Sequence, residues 1–216
     1  MTTLSLDEAR SLFGDDLLDA DAIRALLGAH AESDPEIPFS REVAVAARDA
    51  GCLLVLRPQS LPGVGPVTLG ALAELAAQRD GFTAFASDDP WFADDATVNA
   101  IAAEPGWALV AKEPWRETLN LVYDRADEAL RLRAGSTAWR RRRAPEIAFD
   151  TLAYAAARGK RLLVDRWDWS STLSQDGGLV NVGAFGEKGL DVLSYSKAVK
   201  HGALGICPTL VAPARR

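Results

Sequence analysis

The sequence predicts an α+β protein, with helices mainly in the first two thirds and a mixed sheet completed by a C-terminal β-hairpin. Three observations predict it. Capped amphipathic segments crowd residues 5–158. Two apolar or alternating runs, 179–185 and 190–195, flank Gly186-Glu187-Lys188-Gly189, as a hairpin requires. Strands and helices do not alternate in the regular βαβ order of a parallel sheet. Residues 1–36 read as a short helical N-terminal segment and 37–216 as a single compact α+β domain.

In chain order, Ser5 caps the first helix, with Glu8 at capping-box spacing and Gly14 closing it. Asp19 or Asp21 opens a second, carrying Ile23, Leu26 and Leu27 to Gly28, and 29–36 is a polar loop. Ser40 caps a helix over 41–49 with Val43, Ala46 and Ala47 inward. Cys52-Leu53-Leu54-Val55-Leu56, between Gly51 and Pro58, is a strand buried on both faces. Thr68 caps a helix bearing Leu69, Leu72 and Leu75. Asp88 to Asp95 is an acidic turn around Trp91 and Phe92, and 97–103 a short helix. Trp107 to Lys112 is a second central strand, and 115–134 the longest helix, ended by Gly135. Pro145 starts the next helix and Gly159 lies beyond its end. Leu162 to Val164 reads as a short strand, and a last strand runs through Leu204 to Cys207.

With 216 residues, 48% hydrophobic and 25% charged, the composition is that of an ordinary globular protein. The longest apolar run, Cys52 to Leu56, is far below the ~18 residues of a membrane span. Met1 to Glu8 lacks a basic segment followed by an apolar core, so a cytoplasmic location and no membrane partner are expected. The net charge of −6 divides unevenly: residues 1–104 carry −12 and 105–216 carry +6. Facing halves within the molecule explain this better than a polyanion-binding surface, because no basic tail accompanies it.

No residue pattern demands a cofactor or metal. His30 and His201 have no second ligand at metal spacing, and Cys52 and Cys207 sit in apolar runs as buried thiols do. His201 and Cys207 as base and nucleophile is the rival reading. Gly63-Val64-Gly65 lies between a strand and a helix, where phosphates bind. Thr68 stands where the dinucleotide fingerprint needs glycine, however, and Pro66 deletes an amide, so a plain connection is expected.

Two segments are distinctive. Trp139-Arg140-Arg141-Arg142-Arg143 could grip phosphate and stack a base. A solvated run, or one paired with acids such as Asp88, Asp89, Asp94 and Asp95, is the competing expectation. If solvated, Arg141→Ala changes stability by no more than about 0.5 kcal/mol. Asp165-Arg166-Trp167-Asp168-Trp169, as a strand, puts Trp167 and Trp169 on one face, to stack a ring or close a core. Were the protein a hydrolase, its acids would be Asp165 and Asp168 with Glu187 or Asp191 from the hairpin.

Ile37-Pro38-Phe39-Ser40-Arg41-Glu42, Gly51 to Arg57, Gly106 to Glu113 and Gly178 to Phe185 together resemble segments of an uncharacterised family of hypothetical proteins from uncultured bacterial lineages. The resemblance runs from about residue 37 onward and implies a compact bacterial domain with no known activity. The function expected first is therefore a non-enzymatic binding or interaction protein, with a protein partner or self-association. A carboxylate-dependent hydrolase, and nucleic-acid binding through 139–143, are the alternatives, nucleic acid being the less favoured partner.

Overall fold

The computed structural model describes residues 3–28, 34–79 and 81–211. Among them are seven α-helices and two four-stranded mixed sheets, and the class is α+β. The helices are α1 (Leu6–Phe13), α2 (Ala20–Leu27), α3 (Arg41–Asp49), α4 (Leu69–Ala77), α5 (Ala96–Asn99), α6 (Tyr123–Ala134) and α7 (Ala144–Arg158). The strands are β1 (Leu17–Leu18), β2 (Cys52–Arg57), β3 (Gly106–Ala111), β4 (Trp167–Leu173), β5 (Leu179–Gly186), β6 (Gly189–Tyr195), β7 (Leu204–Gly205) and β8 (Thr209–Val211). The described part of the expected 29–36 loop is irregular, and His30 lies outside the described residues. Among the described residues, no helix is long and apolar enough to cross a membrane.

The local chemistry of the caps sets most helix starts. Ser5 and Glu8 form a reciprocal capping box, and the side chains of Asp19, Ser40 and Thr68 each accept an amide of the first turn. One register differs from expectation: in α3 the buried residues are Ala44 and Ala47, while Val43 is exposed, so small side chains meet β2 and β3.

The first sheet has the order β1-β2-β3-β8, with β1 parallel to β2 and the other pairs antiparallel. The second has the order β6-β5-β4-β7, and the predicted hairpin β5–β6 forms one side of it. Helix α7 lies between them, packing against β1 and β2 on one side and β4 and β5 on the other. It is buried continuously from Ala144 to Tyr154, and α2 and α4 pack beside it. One apolar core spans both sheets. A smaller cluster of Ala126, Leu130, Trp169, Leu179, Leu204 and Ile206 lies under α6.

Two predicted elements differ from the structure. Residues 115–134 do not form one helix: a 3₁₀ turn at Arg116–Thr118 and an extended break precede α6. Asn120 sits at φ +57° with its N–H on the Leu204 carbonyl, and the Tyr123 N–H bonds the Lys197 carbonyl. Tertiary backbone bonds thus replace helical ones. Leu162 to Val164 is a loop, not a strand, in which Leu163 (φ +54°) is buried and its carbonyl accepts the Phe185 N–H.

Candidate binding groove

The ionic centre of the molecule explains where the expected site residues went. Glu146 and Asp150 stand four apart on α7 and so project from one face of it. Arg57, ending β2, grips Asp150 with two bonds of 2.9 and 2.8 Å and lies 3.2 Å from Glu146. Arg142 donates to Asp150 at 2.9 Å and to Asp168 on β4 at 3.1 and 2.9 Å. Arg140 holds both oxygens of Glu146 and reaches Glu104. Cations and anions alternate along this chain from sheet to sheet.

Burial raises the Glu146 carboxyl, but Arg57 and Arg140 outweigh it and hold the group at about 2. Burial lifts Asp168 to about 6, against the pull of Arg142 and of the Cys207 N–H that donates to it at 2.9 Å. Burial also opposes the charge on Arg142, yet Asp168 and Asp150 carry it above its ordinary value.

The arginine run is therefore not a solvated surface. Arg141 and Arg142 are buried, and Arg141 bonds Asp127 and the Tyr123 carbonyl with its guanidinium 3.9 Å from the Tyr123 ring. Of the first-half acids only Glu104, among the described residues, pairs with the run, through Arg140 and at 3.8 Å from Arg143; its other partners, Asp127, Glu146, Asp150 and Asp168, lie in the second half. Among the described residues, Asp88, Asp89, Asp94 and Asp95 make no ion pair with it. Arg143 is more open, bonding the Ala102 carbonyl, and Trp139 is half-buried against Trp115 with ring centroids 5.5 Å apart.

The expected acids are dispersed. Asp168 is locked in the ionic centre, Asp165 is exposed beside Arg166, Glu187 is exposed in the hairpin turn, and Asp191 is half-buried on β6. Trp169 is fully buried with its ring edge-to-face on Tyr123, and half-buried Trp167 faces Tyr195. The two tryptophans close the smaller cluster, as alternation along β4 allows. Cys52 and Cys207 are buried free thiols. Burial pushes Cys52 to about 12 and Cys207 well above its usual value, and His201 is exposed with Nδ1 accepting the Ala203 N–H. Such thiols are not nucleophiles at neutral pH. The amides of Leu61, Val64 and Gly65 bond carbonyls inside their own turn, leaving none of the three for phosphate. No group of three or more His, Cys, Asp or Glu among the described residues is placed to hold a metal.

The feature that sequence reasoning missed is an open hollow of about 650 Å³ lined by Trp91, Asp95, Gln175, Asp176, Leu193 and Ser194. Three elements build it. Trp91 begins a 3₁₀ turn, stands edge-on to Phe92 at 6.0 Å, and donates its Nε1–H to the Val192 carbonyl at 2.8 Å, leaving the ring 41% exposed. Asp95 caps α5 through Oδ1 and holds the Gln175 amide through Oδ2, fastening the β4–β5 turn. In that turn Asp176 Oδ1 accepts from Ser174, from the Gly178 N–H at 3.1 Å and from Ser194 at 3.4 Å. Those donors, Ser174 first, lower the Asp176 carboxyl below its ordinary value. Its Oδ2 has no partner among the described residues.

A carboxylate held below its usual range is a weak base, so Ser174 and Ser194 remain alcohols. The groove can bind: an aromatic wall, a fixed negative charge and a strand edge converge on it. Ser174-Gln175-Asp176-Gly177-Gly178 is a turn signature, the one local signal that could have marked it. No protein-family model matches the chain, and no curated protein or solved structure matches it.

Proposed function

We propose that this chain is a non-enzymatic binding or interaction protein of the bacterial cytoplasm, and that the groove beside Trp91 is its recognition surface. The observation that carries the reading is the convergence of the anchored Trp91 ring, the ionised Asp176 and the β6 edge on one open hollow. Rings with a polar handle on a fixed scaffold are the usual anchors of recognition sites. The catalytic alternative loses support because Asp165, Asp168, Glu187 and Asp191 do not meet at the groove, and Asp168 is spent on Arg142. The nucleic-acid alternative loses support because Arg140, Arg141 and Arg142 are paired inside the protein.

The test is an NMR binding screen of the full chain against fragment and peptide mixtures. Shifts clustering at Gln175–Gly178 and Leu193–Ser194, and lost in Trp91→Ala, are the expected result. Turnover of a chromogenic ester, glycoside or phosphate that is abolished by Asp176→Asn would overturn the non-enzymatic reading.

A further inference from the structure

The wall of the groove carries charge of one sign. Asp95 and Asp176 are its carboxylates, and Trp91, Gln175, Leu193 and Ser194 bring no charge, so it holds two acids and no base. Among the described residues neither acid is ion-paired with a Lys or Arg. Glu146, Asp150 and Asp168, by contrast, each face an arginine. The carboxylate oxygens are nearly all spent on local donors. Asp95 Oδ1 takes the Thr97 and Val98 amides and its Oδ2 the Gln175 amide, while Asp176 Oδ1 takes Ser174, Gly178 and Ser194. Asp176 Oδ2 alone stays open. The aromatic wall is held in place. The Leu190 N–H bonds the Ala84 carbonyl and the Leu190 carbonyl accepts the Ala86 N–H, so segment 84–86 braces β6 upstream of Trp91. The Nε1 bond to the Val192 carbonyl then fixes the indole with its face partly open to the hollow.

We infer that the groove binds a small organic cation of the quaternary ammonium class, its methyl groups on the Trp91 ring and its charge balanced by Asp176. This rests on the reading of the groove as a recognition surface and names what that surface recognises. An indole face attracts a cation through the ring quadrupole, more strongly than the other aromatic side chains do. A carboxylate without a counter-ion adds a Coulomb attraction of the same sign. Other ligands fit worse. An anion meets two carboxylates. A bare divalent ion needs about six oxygen ligands, and no group of three or more His, Cys, Asp or Glu among the described residues is placed to hold one. A primary ammonium brings three N–H donors to a single open carboxylate oxygen. A quaternary nitrogen has no donor to satisfy and turns only C–H surface toward Trp91 and Leu193.

The probe is choline chloride, titrated into the full-length protein and followed by NMR. Its control is neohexyl alcohol, the same shape with carbon in place of the charged nitrogen. Choline at millimolar concentration is expected to give saturable shifts of the Trp91 indole N–H, Gln175–Gly178 and Leu193–Ser194. The alcohol binds at least about tenfold more weakly. Trp91→Leu keeps an apolar wall without the π face, and Asp176→Asn keeps the turn without the charge. Each weakens choline roughly threefold to tenfold while resonances away from the groove stay in place. Equal binding of choline and the alcohol overturns the cation and leaves an apolar recognition surface. A groove silent to choline but responsive in the Trp91→Ala fragment screen overturns the ammonium class and keeps the recognition surface, whereas silence in both removes the surface as well. Choline shifts unchanged by both substitutions place the cation elsewhere and overturn the site. Methyl glycosides that shift these residues where choline does not overturn the cation in favour of a sugar.

Discussion

Arg142→Met tests the ionic centre most directly. The substitution keeps an unbranched apolar stem but removes every charged bond that Asp168 receives, leaving that carboxylate only the Cys207 N–H. Asp150 keeps the two-pronged grip of Arg57. Stranding one buried charge costs about 3–5 kcal/mol, which for a domain of this size lowers Tm by roughly 6–20 °C. The loss depends on pH in a stated direction. Burial already lifts Asp168 to about 6 with Arg142 present, and without the guanidinium it rises further. A carboxyl with a raised folded pKa contributes stability that is present at low pH and lost as pH rises through that pKa. The variant is therefore least impaired near pH 5 and most impaired at pH 8. Urea unfolding of wild type, Arg142→Met and Arg142→Met/Asp168→Asn at both pH values measures this. The double variant is expected to regain at least half of the loss at pH 8. A single variant within about 1 kcal/mol of wild type, or a double variant no better than the single, refutes the account.

Glu146 has the opposite sign. Held at about 2 against an ordinary 4.5, it adds stability that is present above pH 4.5 and lost as pH falls toward 2. Glu146→Gln should flatten that part of the acid-unfolding curve, by about 2–4 kcal/mol. Arg141→Ala should cost about 1–3 kcal/mol in urea unfolding, since it removes bonds to Asp127 and the Tyr123 carbonyl and the ring contact. A change below 0.5 kcal/mol would restore the solvated reading of the arginine run. Gly189→Ala should destabilise by roughly 2–4 kcal/mol and speed exchange of the Ala86 amide. At φ +109° a methyl there would lie 2.4 Å from the Phe85 carbonyl carbon. An unchanged melt would show that segment 84–86 is not pinned to β6.

Helix starts were legible because a cap is local: Ser5 with Glu8, Asp19, Ser40 and Thr68 each bond an amide three residues away. Strands β2 and β3 were legible because an unbroken apolar run has nowhere to go but a covered sheet. The break before α6 was not, because Leu204 and Lys197, some 75 to 85 positions away, claim the amides that helical periodicity would have used. The arginine run misled for the same reason. Whether Arg142 is solvated or buried depends on Asp168 on another sheet. Two acids among the apolar residues of α7, Glu146 and Asp150, were the available hint of buried counter-charges. Apart from the Ser174 to Gly178 turn signature the groove had no motif to find, since its residues meet from positions 91–95, 175–176 and 193–194.

The stretch from β7 to β8 passes from one sheet to the other, and this orders events during synthesis. Thr209 closes the edge of β3 and lies 3.5 Å from Arg57, which leaves the ribosome 152 positions earlier. At the usual 5–20 residues per second that is a delay of roughly 8–30 s. Arg57 waits through it with only part of its final company, and for about the last 100 positions, roughly 5–20 s, the outer edge of Ala108 to Val110 has no neighbour. The nascent chain thus carries an open, apolar strand edge over that interval, so a chaperone that shields β3 until Thr209 emerges would raise the yield of folded protein.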